Sequence, residues 1–249
     1  MQSVEEFFRR LDDAYGVNLT IGYDAYDRAR FVDGLLTTLE LSAICIVASL
    51  VIGVLGAWVQ GVRSRALRGL VGGYIAFFRN TPPLIQLYFF YFAIGAILPQ
   101  LPSDGGLGRP LVSNFGWAVI SLSFFAGAFN VEIFRAGIEA VPRTTVEAAE
   151  SLGYSRLQTY LHVVLPLALR ISLPALGNNL VNLVKTTTLA YAIAVPELLY
   201  VCAQIWSDEL NVREMMNVVL ITYVAIVAVL VWLMQRWERA LRVPGFGQG

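Results

Sequence analysis

Long apolar runs, each broken off by a charged stretch, dominate this chain. The first clear run extends from about Leu35 to Val59, interrupted only by Glu40, and stops before Arg63, Arg65 and Arg68. Its length suits a helix crossing a hydrocarbon core roughly 30 Å thick. Comparable runs predict spans at about 115–134, 173–194 and 216–237. A second span in chain order is predicted at about 82–98, where Thr81 offers an N-cap and Pro82 and Pro83 suit a first helical turn. The apolar piece from Leu67 to Phe78 ends at Arg79; it either lies along the cytoplasmic interface, the favoured alternative, or extends that second span. Pro99 to Pro110, with its prolines and glycines, is expected to be a loop on the side opposite the arginine cluster. Five spans put the two ends of the chain on opposite sides.

Residues 1–32 are polar, with Glu5, Glu6, Arg9, Arg10, Asp12 and Asp13, and lack the early apolar core of a cleavable signal peptide, so this tail is expected to stay. Within it Val4, Phe7, Phe8, Leu11 and Tyr15 recur at helical spacing, as in an amphipathic helix lying on the membrane surface or in a simple packing helix. Charge bias orients the bundle. Arg63, Arg65, Arg68, Arg79, Arg135, Arg143, Arg156, Arg170, Arg236, Arg239 and Arg242 all fall on one side, which should be the cytoplasm. The opposite loops offer Arg109 and Arg213, the latter among Asp208, Glu209 and Glu214, while the arginines of the outer tail are offset by acids. The expected organisation is an external tail over 1–32, a transmembrane domain over 33–240 and a cytoplasmic tail over 241–249, with the N-terminus outside.

Composition sharpens the class. With 57% hydrophobic and 14% charged residues the chain is far from the ~25% charge of a soluble domain. A formal net charge of zero and the lack of any block of like charge give a nucleic-acid partner no electrostatic support. Cys45 and Cys202 are too far apart for a clustered metal or disulfide framework and are expected to be packing residues. A single histidine, His162, argues against a histidine-based zinc site and leaves little for a catalytic triad.

Between the third and fourth spans lies a cytoplasmic stretch over about 140–170, longer than neighbouring helices need, so it should carry its own structure. Thr144 to Glu147 fits a capping box, and Gly153 sits where a left-handed C-cap would end a short helix. Ser155 to Gln158 repeats the cap pattern, and the run through His162 to Leu165 is expected to halt at Pro166. The result would be two short helices joined at a glycine. Ala148 and Ala149 would let such a helix approach another surface, with Glu147 and Glu150 as acceptors; the plainer alternative is a hairpin covering the inner mouth of the bundle.

Here the chain resembles a family. Glu147-Ala148-Ala149, Gly153, Val163, Leu165 and Pro166 resemble the spaced EAA signature of ABC importer permeases. Phe78-Arg79-Asn80-Thr81-Pro82-Pro83-Leu84 with Gln86 and Leu87, Glu132 to Ile138, Leu183 to Leu189 and Val243-Pro244-Gly245 are similar to segments of its polar amino-acid branch, so the likeness covers about 33–245. The resemblance implies an all-α integral membrane permease of type I with five spans and cytoplasmic coupling helices. It also implies that Glu147, Ala148, Ala149, Gly153, Leu165 and Pro166 seat in a cytoplasmic ATPase and pass its closure to the spans. Two departures are informative. Thr144 and Thr145 stand where the branch usually has Gly-Gln, which alters the helix start. Thr186 replaces the aspartate of several cationic amino-acid permeases, which favours an acidic or neutral polar substrate.

No G-x-x-x-x-G-K-[S/T] loop occurs, so ATP and Mg would be bound by a partner chain, and none of the resemblance calls for a cofactor on this one. Lys185, the sole lysine, falls about twelve residues into the predicted fourth span, near mid-membrane. A charge there is costly and usually functional. It either holds a substrate carboxylate or pairs with carboxylates or carbonyls to fix the span. Asn178, Asn179 and Asn182, and Thr186, Thr187 and Thr188, either line the same path or bind helices together. Glu132 and Arg135 are most simply an intrahelical ion pair. Glu197 is a candidate for an outer gate or a solvated loop residue. The competing class is an ion-driven secondary carrier or channel for small polar solutes, but five spans do not divide into inverted halves. An importer of this kind, in the bacterial inner membrane, would require a second permease chain, two ATP-binding subunits and an external amino-acid-binding protein.

Overall fold

The computed structural model describes residues 2–102 and 108–241, with side chains from Glu5 onward. Arg242, the Val243-Pro244-Gly245 stretch, residues 103–107 of the expected outer loop and the Val4 side chain lie outside the described residues.

Amphipathic α1 (Gln2–Tyr15) packs Phe8 against Gly22 of α2 (Thr20–Tyr23), where a Cβ would strike the ring, and leaves Phe7 and Tyr15 exposed. The long α3 (Ala25–Gln60) starts well before the apolar run, because the Asp24 carboxylate accepts from the backbone N–H of Tyr26 at 2.8 Å and of Asp27 at 2.9 Å. Hydropathy does not register such a polar first turn. Ser64 then caps α4 (Arg65–Asn80) by accepting from the Leu67 N–H.

Thr81 stands at the end of α4. Its backbone is extended, at φ −117° and ψ 146°, and its hydroxyl donates back to the Phe77 carbonyl at 2.7 Å, so it closes α4. The Leu67–Phe78 piece is therefore a helix separate from the second span. That span opens with Pro83, whose missing N–H costs nothing in a first turn, and runs as α5 (Pro83–Tyr88), a π-helical stretch (Phe89–Ile94) and α6 (Gly95–Ile97). Gln100–Leu101 (β1) and Arg109–Pro110 (β2) pair antiparallel after it.

Next come α7 (Asn114–Glu139), α8 (Arg143–Ser151) and a continuous helix made of α9 (Arg156–Thr159), a π-helical stretch (Tyr160–Val164), α10 (Leu165–Thr186) and a 3-10 stretch (Thr187–Ile193). The fold ends with α11 (Leu198–Glu209) and α12 (Val212–Ala240). Among the described residues four helices are long and apolar enough to cross a membrane: Ala25–Gln60, Asn114–Glu139, Arg156–Ile193 and Val212–Ala240. Pro83–Ile97, the expected second span, is apolar but shorter.

The described residues fall into two compact units. One comprises those within Met1–Cys45, Leu84–Ser121 and Val184–Val227. Its core joins Leu198, Val201, Cys202 and Ile205 of α11 to Met215 and Val219 of α12, flanked by Phe31 and Leu35 of α3. The other comprises those within Ile46–Pro83, Leu122–Leu183 and Ala228–Gly249. There Gly53 and Gly56 bring α3 onto α7, since a Cβ at either would run into Asn130 or Val131. Close backbone approach through small residues is how helices pack where lipid removes the hydrophobic drive between them. Cys45 and Cys202 are both buried packing residues.

Candidate functional site

The stretch between α7 and α10 is built from local signals, though not all of the expected ones. Helix α8 starts at Arg143 behind Pro142, which sits at φ −59° and ψ 134° with no side-chain cap. Thr144 therefore lies inside the first turn, and the expected Thr144–Glu147 capping box does not form. The other end follows the sequence. Gly153 takes φ 89°, its N–H donates to the Glu150 carbonyl at 3.0 Å, and the Tyr154 N–H donates to the Ala149 carbonyl at 3.2 Å. This is the paired bonding of a Schellman cap, and the left-handed turn, not crowding, is what demands glycine. Ser155 and Gln158 then close a capping box, with bonds of 2.9 Å and 3.4 Å.

Pro166 does not end the second helix. A proline lacks an N–H and its ring collides with the carbonyl four residues back. Here the Leu165 N–H reaches the Tyr160 carbonyl across a widened π turn immediately before Pro166, and the helix passes through it. The outcome is one short helix, a glycine corner and one long helix, in place of two short helices.

This corner is exposed and partly apolar. Glu147, Ala148 and Glu150 face outward from α8, as does Leu165, whereas Ala149 is 6% exposed and packs inward. Around Gly153 stand Leu152, 82% exposed, and Leu157, 67% exposed, with Tyr154, Tyr160 and Leu161 beside them. Behind the patch, Val141, Val164 and Ala168 form a buried cluster with Ile138, Val146 and Leu167, which fastens α8 to the end of α7 and the start of α10. At Gly137 of α7 a Cβ would meet Ser172 and the Ala168 carbonyl, and the Ser172 hydroxyl donates to the Ile133 carbonyl at 3.2 Å. The base of the corner is thus close-packed while its tip is open.

Polar residues of α10 divide by face. Asn179, 8% exposed, donates to the Asn130 side-chain oxygen at 2.8 Å and to the Ala126 carbonyl at 3.1 Å, and Asn130 donates to the Ser49 hydroxyl at 3.2 Å. Those amides join α3, α7 and α10. Asn178 and Asn182 are exposed one turn apart on another face of the helix, and Lys185 is exposed in its last turn with no ion pair among the described residues. Thr186 is half-buried, Thr187 is fully buried with its hydroxyl on the Val184 carbonyl at 2.7 Å, and Thr188 donates to the Lys185 carbonyl at 2.9 Å. Both hydroxyl bonds lie where the winding changes from α to 3-10.

Glu197 is not a solvated loop residue: it is fully buried and caps α11. Its carboxylate accepts from the Leu199 N–H at 3.0 Å, the Tyr200 N–H at 2.9 Å and the Tyr223 hydroxyl at 3.0 Å, while the Leu198 N–H donates to the Thr38 hydroxyl at 2.9 Å. Burial pushes the Glu197 carboxyl above its usual range, against the opposing pull of those two backbone donors and the phenol. Sequence patterning missed α11, and Pro196-Glu197 was its only local signal. The expected Glu132–Arg135 pair forms at 3.3 Å, and Arg79 of α4, which spacing did not link to it, reaches the same Glu132 oxygen at 3.3 Å.

Comparison with known proteins places this arrangement. Residues 34–243 match the family described as binding-protein-dependent transport system inner membrane component. The chain is 31% identical over 210 residues to a probable glutamine ABC transporter permease protein of Bacillus subtilis, covering 84% of this chain and 91% of that one. It is 30% identical over 217 residues to a glutamine transport system permease protein of Escherichia coli, covering 85% and 93%. Among solved structures, one described as an amino acid ABC transporter with histidines superposes with a TM-score of 0.75 at 26% identity, covering 86% of this chain and 94% of that one.

Proposed function

The chain belongs to the family of binding-protein-dependent transport system inner membrane components, which makes it a multi-pass inner-membrane protein, and from that premise we propose that it is the permease subunit of an ATP-driven amino-acid importer. One observation carries the proposal: an exposed apolar corner at Gly153, flanked by Glu147 and Glu150, on a close-packed base. Leu152, Tyr154, Leu157, Tyr160 and Leu161 cluster here as exposed apolar side chains, and such a patch fits a protein partner. In this family resemblance the partner is the ATPase, with Glu147, Ala148, Ala149, Gly153, Leu165 and Pro166 forming or shaping the seat.

Neutral polar or acidic amino acids are the proposed substrates. Thr186 in place of a carboxylate supports this, and relatives named for glutamine agree with it. Lys185, Asn178 and Asn182 are proposed to meet the substrate, a cation suiting its carboxylate. Glu197 would serve an outer gate only by holding α11. Pro83–Ile97 is proposed as the fifth crossing, with the N-terminus outside, the arginine-rich ends cytoplasmic, and two ATPase subunits binding ATP and Mg. A second permease chain and an external amino-acid-binding protein complete the proposed complex.

Reconstitution in liposomes with the ATPase and binding protein tests this, using labelled glutamine, glutamate and arginine. ATP-dependent uptake is expected, with arginine the poorest label. Glu147→Arg should abolish it while leaving thermal stability within about 0.5 kcal/mol, as for an exposed position. Uptake without ATP, or following an ion gradient, would make the chain a secondary carrier.

A further inference from the structure

Helix α4 is bound to α7 along one seam. At its middle the Tyr74 hydroxyl donates to the Phe124 carbonyl at 2.6 Å, and Phe78 stacks on Phe124 with centroids 5.8 Å apart and planes at 23°. At its end Arg79 lies over Phe129, 5.3 Å from the ring centroid, and reaches Glu132 at 3.3 Å. The same Glu132 oxygen takes Arg135 at 3.3 Å, and Arg135 also reaches Glu139 at 3.3 Å. A lone exposed ion pair is worth little. This one differs in that a single carboxylate oxygen lies between two guanidinium groups, so its loss leaves two cations facing each other on adjoining helices.

The place of Glu132, two turns before the end of α7, gives the seam its significance. Helix α7 ends at Glu139, Val141 is buried against Val146 of α8, and Gly137 is pressed onto α10. The end of α7 is thus stiffly joined to α8, while α4 is joined to α7 through the seam. All of these residues belong to a single compact unit.

We propose that Arg79 and Glu132 are positioning residues that make α4 follow α7 whenever α8 is displaced, with Arg135 holding the shared carboxylate in place. The proposal rests on the import role argued above. Without the ion cluster, displacement of α8 is absorbed at the α4–α7 seam, and ATP is hydrolysed with less transport.

The test is a mutant cycle in the complete reconstituted transporter, read as labelled glutamine imported per ATP hydrolysed, with co-purified ATPase measured alongside. Arg79→Gln should lower that ratio about fivefold and Glu132→Gln at least as much, since it also leaves Arg79 and Arg135 facing each other, while the double variant, free of that repulsion, should fall no further than the single variants because the pair acts as one unit. Arg79→Lys, which keeps the charge, should retain most of the ratio, and it serves as the reading if a neutral variant fails to assemble. An unchanged ratio in the assembled single variants, additive losses in the double variant, or a loss in Arg79→Lys equal to that in Arg79→Gln would overturn the proposal. A wild-type complex that hydrolyses ATP but imports none of the labels would overturn the import role itself.

Discussion

Two corners of this protein use an acidic residue beside a helix end, in opposite ways. At Gly153 the caps come from immediate neighbours, Ser155 with Gln158 and the Gly153 and Tyr154 N–H groups with α8, while Glu147 and Glu150 remain exposed. At Glu197 the cap is itself the buried acid, and its satisfaction depends on Tyr223, 26 residues along the chain. A corner with self-contained caps can leave its side chains open to another protein. A corner whose cap reaches across the fold has its acid committed to holding helices together.

Substitutions sharpen that contrast. Glu197→Ala leaves two backbone N–H groups and the Tyr223 phenol without their acceptor in a buried site, and should cost about 3 kcal/mol or prevent folding. Thermal unfolding of the purified protein in detergent measures it; unchanged stability with lost transport would instead make Glu197 a gate. Asn179→Ala removes the link from α10 to Asn130 and Ala126, and the expected loss by the same method is about 1–2 kcal/mol, the scale of polar contacts between membrane helices. Gly153→Ala is the smallest of the three, about 1 kcal/mol for a side chain in left-handed backbone. It should nonetheless weaken co-purification of the ATPase more than Asn179→Ala does. The reverse order in that pull-down would break the contrast between an open corner and a committed one.

Much of this division was legible in the sequence, and the exceptions have physical causes. The apolar runs of α3, α7 and α12 announce themselves, and so do Gly153 and the Ser155–Gln158 box, because each depends on residues adjacent in the chain. Pro166 misleads because the widened turn at Tyr160–Val164 absorbs its missing donor, and no residue type marks that turn. Thr144 misleads because Pro142 already has the backbone angles of a cap. Arg79 and Glu132 stand 53 residues apart, and Asn130 with Asn179 stand 49 apart. Their residue types flag them as unusual in apolar surroundings, but only the packing of α4, α7 and α10 pairs them. The same holds for α11, whose cap is complete only when Tyr223 and Thr38 arrive.

The tightening of the helix after Thr186 changes the phase in which its surface must be counted. Up to that point a face returns about every 3.6 residues, and through Thr187–Ile193 it returns every third. Lys185, Thr188 and Tyr191 therefore stand in register, and Lys185 and Tyr191 are both exposed while Ala190 and Ile193 between and beyond them are buried. Cysteine accessibility mapped along this helix would show a stripe that stays straight only if its period is switched from 3.6 to 3 at Thr187; a single α-helical period would place Leu189 after Lys185 and lose the face.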